Sequence, residues 1–247
     1  MKTMLITGGS RGIGAAVAKL AAAESYEVVV NYLNRKDAAE AVVKEIQDGG
    51  GTAIAIQGDM SNEKDIQRVF QATVETFGGL DSLVNNAGIL MQQSKLEDIS
   101  IERMQKIFSV NITGPMICAR EAVKLMAYKN GGHGGTIINI SSLAAKTGAP
   151  FEYIDYAASK AAIDALTLGL AKEVASEGIR VNGVRPAFIE TGIHASGGDP
   201  GRIDRLKETI PLKRGGTATE VAQAVLWLAS DKSAYSTGIF IDVAGGK

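Results

Sequence analysis

Short apolar, β-branched runs alternate with helical patterns along the whole chain, and this rhythm constrains the fold more than any other feature. The runs are Leu5-Ile6, Val28–Val30, Ala53–Ile56, Leu80–Val84, Thr136–Ile140, Ile179–Val184 and Ile239–Val243. Helical patterns fill the gaps at Ile13–Glu24, Asp37–Gln47, Glu63–Phe77, Ile101–Tyr128 (with Pro115 as a kink or turn), Tyr156–Ala175 and Glu220–Ser230. Alternation of this kind predicts an α/β fold: a doubly wound parallel sheet of about seven strands with helices on both faces. The strands read as continuous apolar runs, as strands covered on both sides should. No linker, repeat or low-complexity block interrupts the 247 residues, so one domain is expected.

The first strand ends in Thr7-Gly8-Gly9-Ser10-Arg11-Gly12-Ile13-Gly14 and a helix follows at once. Strand, glycine-rich turn and helix make a geometry suited to a dinucleotide. Gly8 permits a sharp turn, Gly12 lets backbone approach a pyrophosphate, and Gly14 lets helix pack close to strand. The helix start offers free N–H groups and a positive dipole end. The spacing Gly-x-x-x-Gly-x-Gly is wider than the common G-x-G-x-x-G fingerprint.

A second motif lies at Tyr156-Ala157-Ala158-Ser159-Lys160. Residues four apart share a helix face. A phenol titrates near pH ~10, but a lysine cation ~4 Å away favours the phenolate by roughly 4 kcal/mol at an effective dielectric of ~20. That would poise Tyr156 near neutrality, where an acid/base group works well. Alone, a Tyr and a Lys one turn apart is a common surface accident.

Together the two motifs resemble the short-chain dehydrogenase/reductase family, and the resemblance covers the whole chain. It extends in detail to bacterial oxoacyl-carrier-protein reductases and glucose-1-dehydrogenase-like oxidoreductases. It implies a Rossmann-like fold and hydride transfer between a nicotinamide and a carbonyl or secondary alcohol. By that resemblance Tyr156 is the general acid/base, Lys160 lowers its pKa and holds the ribose, and Ser142 orients the reacting oxygen. Asn111 kinks its helix and supports a water near the lysine. Gly8, Ser10, Arg11, Gly12, Ile13 and Gly14 surround the pyrophosphate. Asn31, Arg35, Asp59 and Met60 belong to the adenosine end. Asn86, Ala87 and Gly88 lie by the ribose, and Pro186, Ile189 and Thr191 belong to the loop over the nicotinamide.

Two departures from the family pattern stand out. Ala187 replaces the usual glycine after Pro186. Ser142 and Tyr156 are one residue further apart than is common, so a bulge is expected within residues 148–155. Tyr153 is seven residues before Lys160 and is expected on the wrong helical face.

After Val28–Val30 no acid occurs until Asp37, so the carboxylate that selects NAD is missing. Arg11 and Arg35 suit a 2′-phosphate. NADP(H) is therefore expected, with NAD the lesser candidate. Residues 191–216 read as a mobile, polar substrate lid whose glycines suit a loop that orders on binding.

Composition narrows the partners. A formal net charge of −1 gives no basic surface for nucleic acid or membrane. Cys118 is the only cysteine, read as a small core residue, and no Cys/His cluster suggests a metal. His133 and His194 sit in glycine-rich stretches and read as solvated loop histidines. Met4–Ile6 is too short for a signal peptide, and no apolar run reaches the ~18 residues of a membrane span. A cytoplasmic enzyme with a small carbonyl or alcohol substrate is expected. The helix after Tyr156 is apolar on two sides (Ala157, Ala161, Ile163, Ala165, Leu166, Leu168, Leu170), which with Ile239–Ile241 suggests a homotetramer. The competing reading is a non-catalytic NADP(H)-binding sensor or scaffold of the same fold.

Overall fold

A computed structural model describes residues 1–247. The strands β1 (Lys2–Ile6), β2 (Tyr26–Tyr32), β3 (Thr52–Gln57), β4 (Ser82–Asn85), β5 (Gly135–Ile140), β6 (Ile179–Pro186) and β7 (Phe240–Val243) form one sheet in the order β3-β2-β1-β4-β5-β6-β7. Every pairing is parallel. The helices are α1 (Gly12–Ala23), α2 (Lys36–Asp48), α3 (Glu63–Phe77), α4 (Ile101–Phe108), α5 (Gly114–Met126), α6 (Ala144–Thr147), α7 (Ile154–Val174), α8 (Ile193–Ser196), α9 (Arg202–Leu206) and α10 (Ala218–Ala229).

The alternation of side chains along a strand sorts the core into two layers. Met4, Ile6, Val28 and Val30 face α1, α2 and α10 through Val17, Ala18, Val42, Val221 and Val225. Leu5, Val29, Leu83, Ile137 and Val181 face α3, α5 and α7 through Ile66, Phe70, Ala122 and Val174. These five strand residues lie side by side in register across the sheet. Cys118 is buried in the second layer, as its small apolar side chain suggests.

Local chemistry sets the helix ends. Asn62 caps α3 by accepting from the Lys64 and Asp65 N–H groups, and Gly78 closes that helix in the left-handed conformation. Thr217 and Glu220 form a capping box at the start of α10.

The expected long helix through residues 101–128 is divided. Between α4 and α5, residues Ser109–Thr113 widen into a π-turn. Pro115 sits in the first turn of α5, where a missing N–H matters least. Helix α7 begins at Ile154, two residues before Tyr156. Ahead of it, Ala149 (φ 42°) and Phe151 (φ 66°) both take the left-handed conformation, which non-glycine residues rarely adopt. The extra residue between Ser142 and Tyr156 falls in this strained stretch.

The strand order reverses between β1 and β4. Loops leaving these strands diverge and open a crevice at the carboxyl edge of the sheet. They are stitched together at its base. The Thr7 hydroxyl oxygen accepts from the N–H groups of Asn86 and Ala87, both at 3.0 Å, and the Asn86 amide donates to the carbonyls of Thr7 and Gly8.

Candidate active site

A cavity of about 400 Å³ fills this crevice. Its lining includes Gly8, Ser10, Arg11, Gly12, Ile13, Asn31, Arg35, Asp59, Met60, Asn86, Ala87, Gly88, Ser142, Tyr156, Lys160, Pro186, Ile189 and Thr191. Gly14 and Asn111 are not part of the wall. They support it from behind.

The turn after β1 fits a pyrophosphate. Gly8 (φ 61°) and Gly12 (φ 54°) are left-handed. A Cβ on Gly14 would lie 2.5 Å from the Asn86 amide nitrogen and 2.6 Å from the Gly8 carbonyl oxygen, so only glycine allows this approach of helix to loop. The first turn of α1 has neither a side-chain cap nor an acidic residue. Its N–H groups are therefore available to an anion, and Arg11 stands beside them.

At the adenosine end the side chains divide their work. Asn31 lines the cavity, yet its amide is spent on the scaffold: Oδ1 accepts from Gly8 N–H (3.1 Å), and Nδ2 donates to the Ile56 and Gly58 carbonyls. Asp59 turns its carboxylate onto Ser61, accepting from both its N–H and its hydroxyl. Arg35 forms a bidentate pair with Asp37 (3.0 and 2.8 Å). That exposed pair holds the Asp37 carboxyl down to about 2. Asp59 is the only acid in the wall, against the cations Arg11, Arg35, Lys106 and Lys160.

At the other end, α7 carries Tyr156 and Lys160 into the cavity wall. Lys160 is buried, its ammonium donating to the Ile140 carbonyl at 2.8 Å and lying 5.7 Å from the centre of the Tyr156 ring. Asn111 in the π-turn accepts from Ile89 N–H (2.8 Å) and donates to the Ile89 carbonyl (3.0 Å) and the Ser159 hydroxyl (3.1 Å). A Cβ on Gly88 would lie 3.4 Å from the Asn111 amide oxygen and 3.5 Å from the Lys160 ammonium, so the three residues share one corner. The Ser142 hydroxyl oxygen accepts from Ala144 N–H at 3.1 Å.

The electrostatics correct one expectation. Burial pushes the Tyr156 phenol up to about 12, the neighbouring Ser142 hydroxyl opposing it only in part. Burial likewise pulls Lys160 down to about 8, against the opposing field of Asp164. Lys160 does not acidify the phenol in the ligand-free chain. Desolvation favours the neutral form of each group and is the dominant influence on both.

His194 also differs from its sequence reading. It is not a solvated loop residue. It is buried in the cavity wall, with Nε2 2.9 Å from the Ile189 carbonyl oxygen. Burial lowers its pKa. Tyr153 lies just ahead of α7 and outside the cavity lining: its hydroxyl donates to the Gly197 carbonyl (3.1 Å) and its ring packs under Arg202. The 191–216 segment is tied down here. Arg202 is buried, pairs with Glu152 through both terminal nitrogens, and lies near the Phe188 ring.

Other wall residues carried no sequence signal strong enough to select them, among them Tyr32, Leu33, Asn34, Leu90, Lys106, Val110 and Ile193. Lys106 lies in α4 and Val110 four residues on in the π-turn, just before Asn111.

Comparison with known proteins follows the same lines. A family model described as enoyl-(acyl carrier protein) reductase matches residues 8–247. An uncharacterised oxidoreductase of Escherichia coli (strain K12), YgfF, is 56% identical over 247 residues, covering 100% of both chains. A 3-oxoacyl-[acyl-carrier-protein] reductase of Staphylococcus epidermidis is 39% identical, over 99% of this chain and 98% of its own. A dehydrogenase/reductase crystal structure from Sinorhizobium meliloti 1021 superposes with a TM-score of 0.91 at 36% identity, over 99% of this chain and 94% of its own. No helix is long and apolar enough to cross a membrane. With its reversed parallel sheet, glycine-lined crevice and relatives of this kind over its full length, the chain belongs to the short-chain dehydrogenase/reductase family of oxidoreductases.

Proposed function

We propose that the protein is an NADP(H)-dependent reductase of small carbonyl compounds, with Tyr156 as the proton donor. The observation that carries this reading is the meeting of Ser142, Tyr156 and Lys160 with the Gly8–Gly14 turn in one cavity. NADPH, when bound, supplies a hydride to the carbonyl carbon. The chain's own residues manage the proton and the geometry. Ser142 holds the carbonyl oxygen. The Tyr156 phenol, kept protonated by burial, donates to that oxygen as it gains charge. Lys160 places a cation beside the phenolate left behind and so favours the transfer. Asn111 fixes the Ile89 backbone and, through Ser159, the α7 turn that carries the tyrosine.

Arg11 and Arg35 are the contacts for a 2′-phosphate, which would draw Arg35 from Asp37. The absence of any acid but Asp59 from the wall supports NADP over NAD. The cytoplasm and a homotetrameric state fit a protein of this composition and surface.

The test is NADPH and NADH oxidation with a panel of ketones, aldehydes and diketones, wild type beside Tyr156→Phe. Turnover should fall by about 10³ or more in the variant, while NADPH binding read by nicotinamide fluorescence stays within a few-fold. NADPH should outperform NADH in kcat/KM. Near-normal turnover of Tyr156→Phe defeats the catalytic assignment. Equal efficiency with the two cofactors defeats the NADP assignment.

A further inference from the structure

Side chains hold Tyr156 at both of its backbone polar atoms. Its carbonyl accepts from the Ser159 hydroxyl at 2.7 Å, and Ser159 is held in turn by Asn111. Its N–H donates to the Asp155 carboxylate at 2.9 Å. That N–H belongs to the first turn of α7, where N–H groups have no partner within the helix.

Asp155 is fixed by Arg103 of α4. The guanidinium meets the carboxylate with two nitrogens, Nε to Oδ2 at 2.7 Å and Nη2 to Oδ1 at 3.1 Å. Its third nitrogen donates to the Gln92 carbonyl at 2.6 Å. The Asp155 side chain is 1% exposed and that of Arg103 15%, so this forked pair is held in a way that a surface pair is not. Neither residue lines the cavity, whereas Tyr156 does, and so do Ile89 and Leu90 just before Gln92. Arg103 lies in α4 and Asn111 in the π-turn that follows, so one segment reaches Tyr156 from both sides.

The stretch ahead of α7 needs such a hold. Ala149 and Phe151 are left-handed, and that conformation persists only where the surroundings over-determine it. Ser94 N–H donates to the Glu152 carbonyl at 3.0 Å, so residues 92–94 and 152–155 are joined twice, once directly and once through Arg103.

We propose that Arg103 and Asp155 are positioning residues for the proton donor: the pair fixes the start of α7 so that the Tyr156 hydroxyl stands beside Ser142, and its loss displaces that hydroxyl without weakening the hold on the cofactor. The proposal rests on the redox reading above, in which Tyr156 is the acid. A reacting group misplaced by about 1 Å costs a reaction about 10²-fold.

Stability and rate separate this role from a structural one. Arg103→Met alone strands a buried carboxylate and destabilises the fold, whereas Arg103→Met/Asp155→Asn removes both charges, and neutral replacement of a buried pair costs little. The double variant should therefore unfold in urea at a midpoint close to that of wild type. Single-turnover NADPH oxidation is then measured with the panel carbonyl that wild type reduces fastest. The NADPH oxidised per chain should match wild type and NADPH affinity should stay within a few-fold, while the rate constant falls by about tenfold or more. A rate constant that returns to the wild-type value with the stability overturns the proposal.

A second measurement needs no turnover. Arg103→Lys keeps the cation but cannot span the carboxylate and Gln92 together. With ¹³Cζ-labelled tyrosine the chain gives six ring signals, and Tyr156→Phe assigns one of them. In Arg103→Lys and in the double variant the Tyr156 signal should move, with those of Tyr26, Tyr32, Tyr128 and Tyr235 in place. A Tyr156 signal unmoved in both overturns the proposal. Failure of the redox reading looks different: wild type oxidises NADPH with no carbonyl of the panel, while the Tyr156 signal still reports the displacement.

Discussion

Lys160 is a buried cation with no ion pair, held by one carbonyl, and its proton should be visible in the stability of the fold. Its folded pKa of about 8 lies below the unfolded value of 10.5. Between these values the unfolded chain keeps a proton that the folded chain has lost, so stability rises with pH across that window. Below pH 8 the penalty is fully present. Lys160→Met should therefore be about 2 kcal/mol more stable than wild type at pH 7 by urea denaturation. That advantage should shrink as pH rises from 8 to 10.5, and a constant difference would contradict the assignment. Tyr156 acts in the opposite sense and later: its rise from 10.0 to about 12 removes stability only above pH 10. At this scale the sequence was read unevenly. The types and spacing of Tyr156 and Lys160 were legible, but their protonation was not, because burial is set by the layers that close over them. His194 was misread because Gly192, Gly197 and Gly198 signal an open loop, while the contact that buries it comes from Ile189. Asn31 was legible as a residue at a strand end. That its amide serves Gly8 and β3 depends on pairing across the sheet.

Among the elements, the 191–216 segment was expected to be a mobile, polar lid. Its two short helices are fastened to the stretch before α7 by Arg202, Glu152 and Tyr153. The guanidinium is buried while Glu152 is about one-third exposed, so the pair is worth less than a fully buried one. Arg202→Gln should speed amide hydrogen exchange across residues 193–209 by about tenfold or more, with β5 and β6 unchanged. Unaltered exchange in that segment would mean that other contacts hold it. The helix distortion at Asn111 was expected from the family resemblance, and the π-turn lies there. The side-chain bonds from Asn111 to Ile89 that accompany the widening join residues far apart in the chain.

For the whole molecule, parallel pairing and helices on both sides followed from the alternation of short apolar runs and helical patterns, since few other architectures bury such runs on two faces, whereas the strand order came only with the structure. What the isolated chain leaves uncovered is informative too. On α7, Ala157 and Ile163 are buried, but Ala161, Ala165 and Leu168 are exposed. Strand β7 is an open edge, with Ile239 beside it partly exposed. A second subunit against α7 would cover the first of these surfaces. Sedimentation equilibrium should give the mass of four 25.8 kDa chains, and Leu168→Arg should lower it. A monomeric mass for wild type would remove the tetramer.

Each wall of the cavity leaves the carboxyl end of a different strand: the glycine turn from β1, Asn86–Leu90 from β4, Ser142 from β5, the lid from β6. The loops are therefore separately editable. Drift in the stretch after β6 can reshape that wall without disturbing the glycine turn after β1 or the placement of Tyr156 on α7. A lineage built this way inherits its chemistry whole and diversifies its diet one loop at a time.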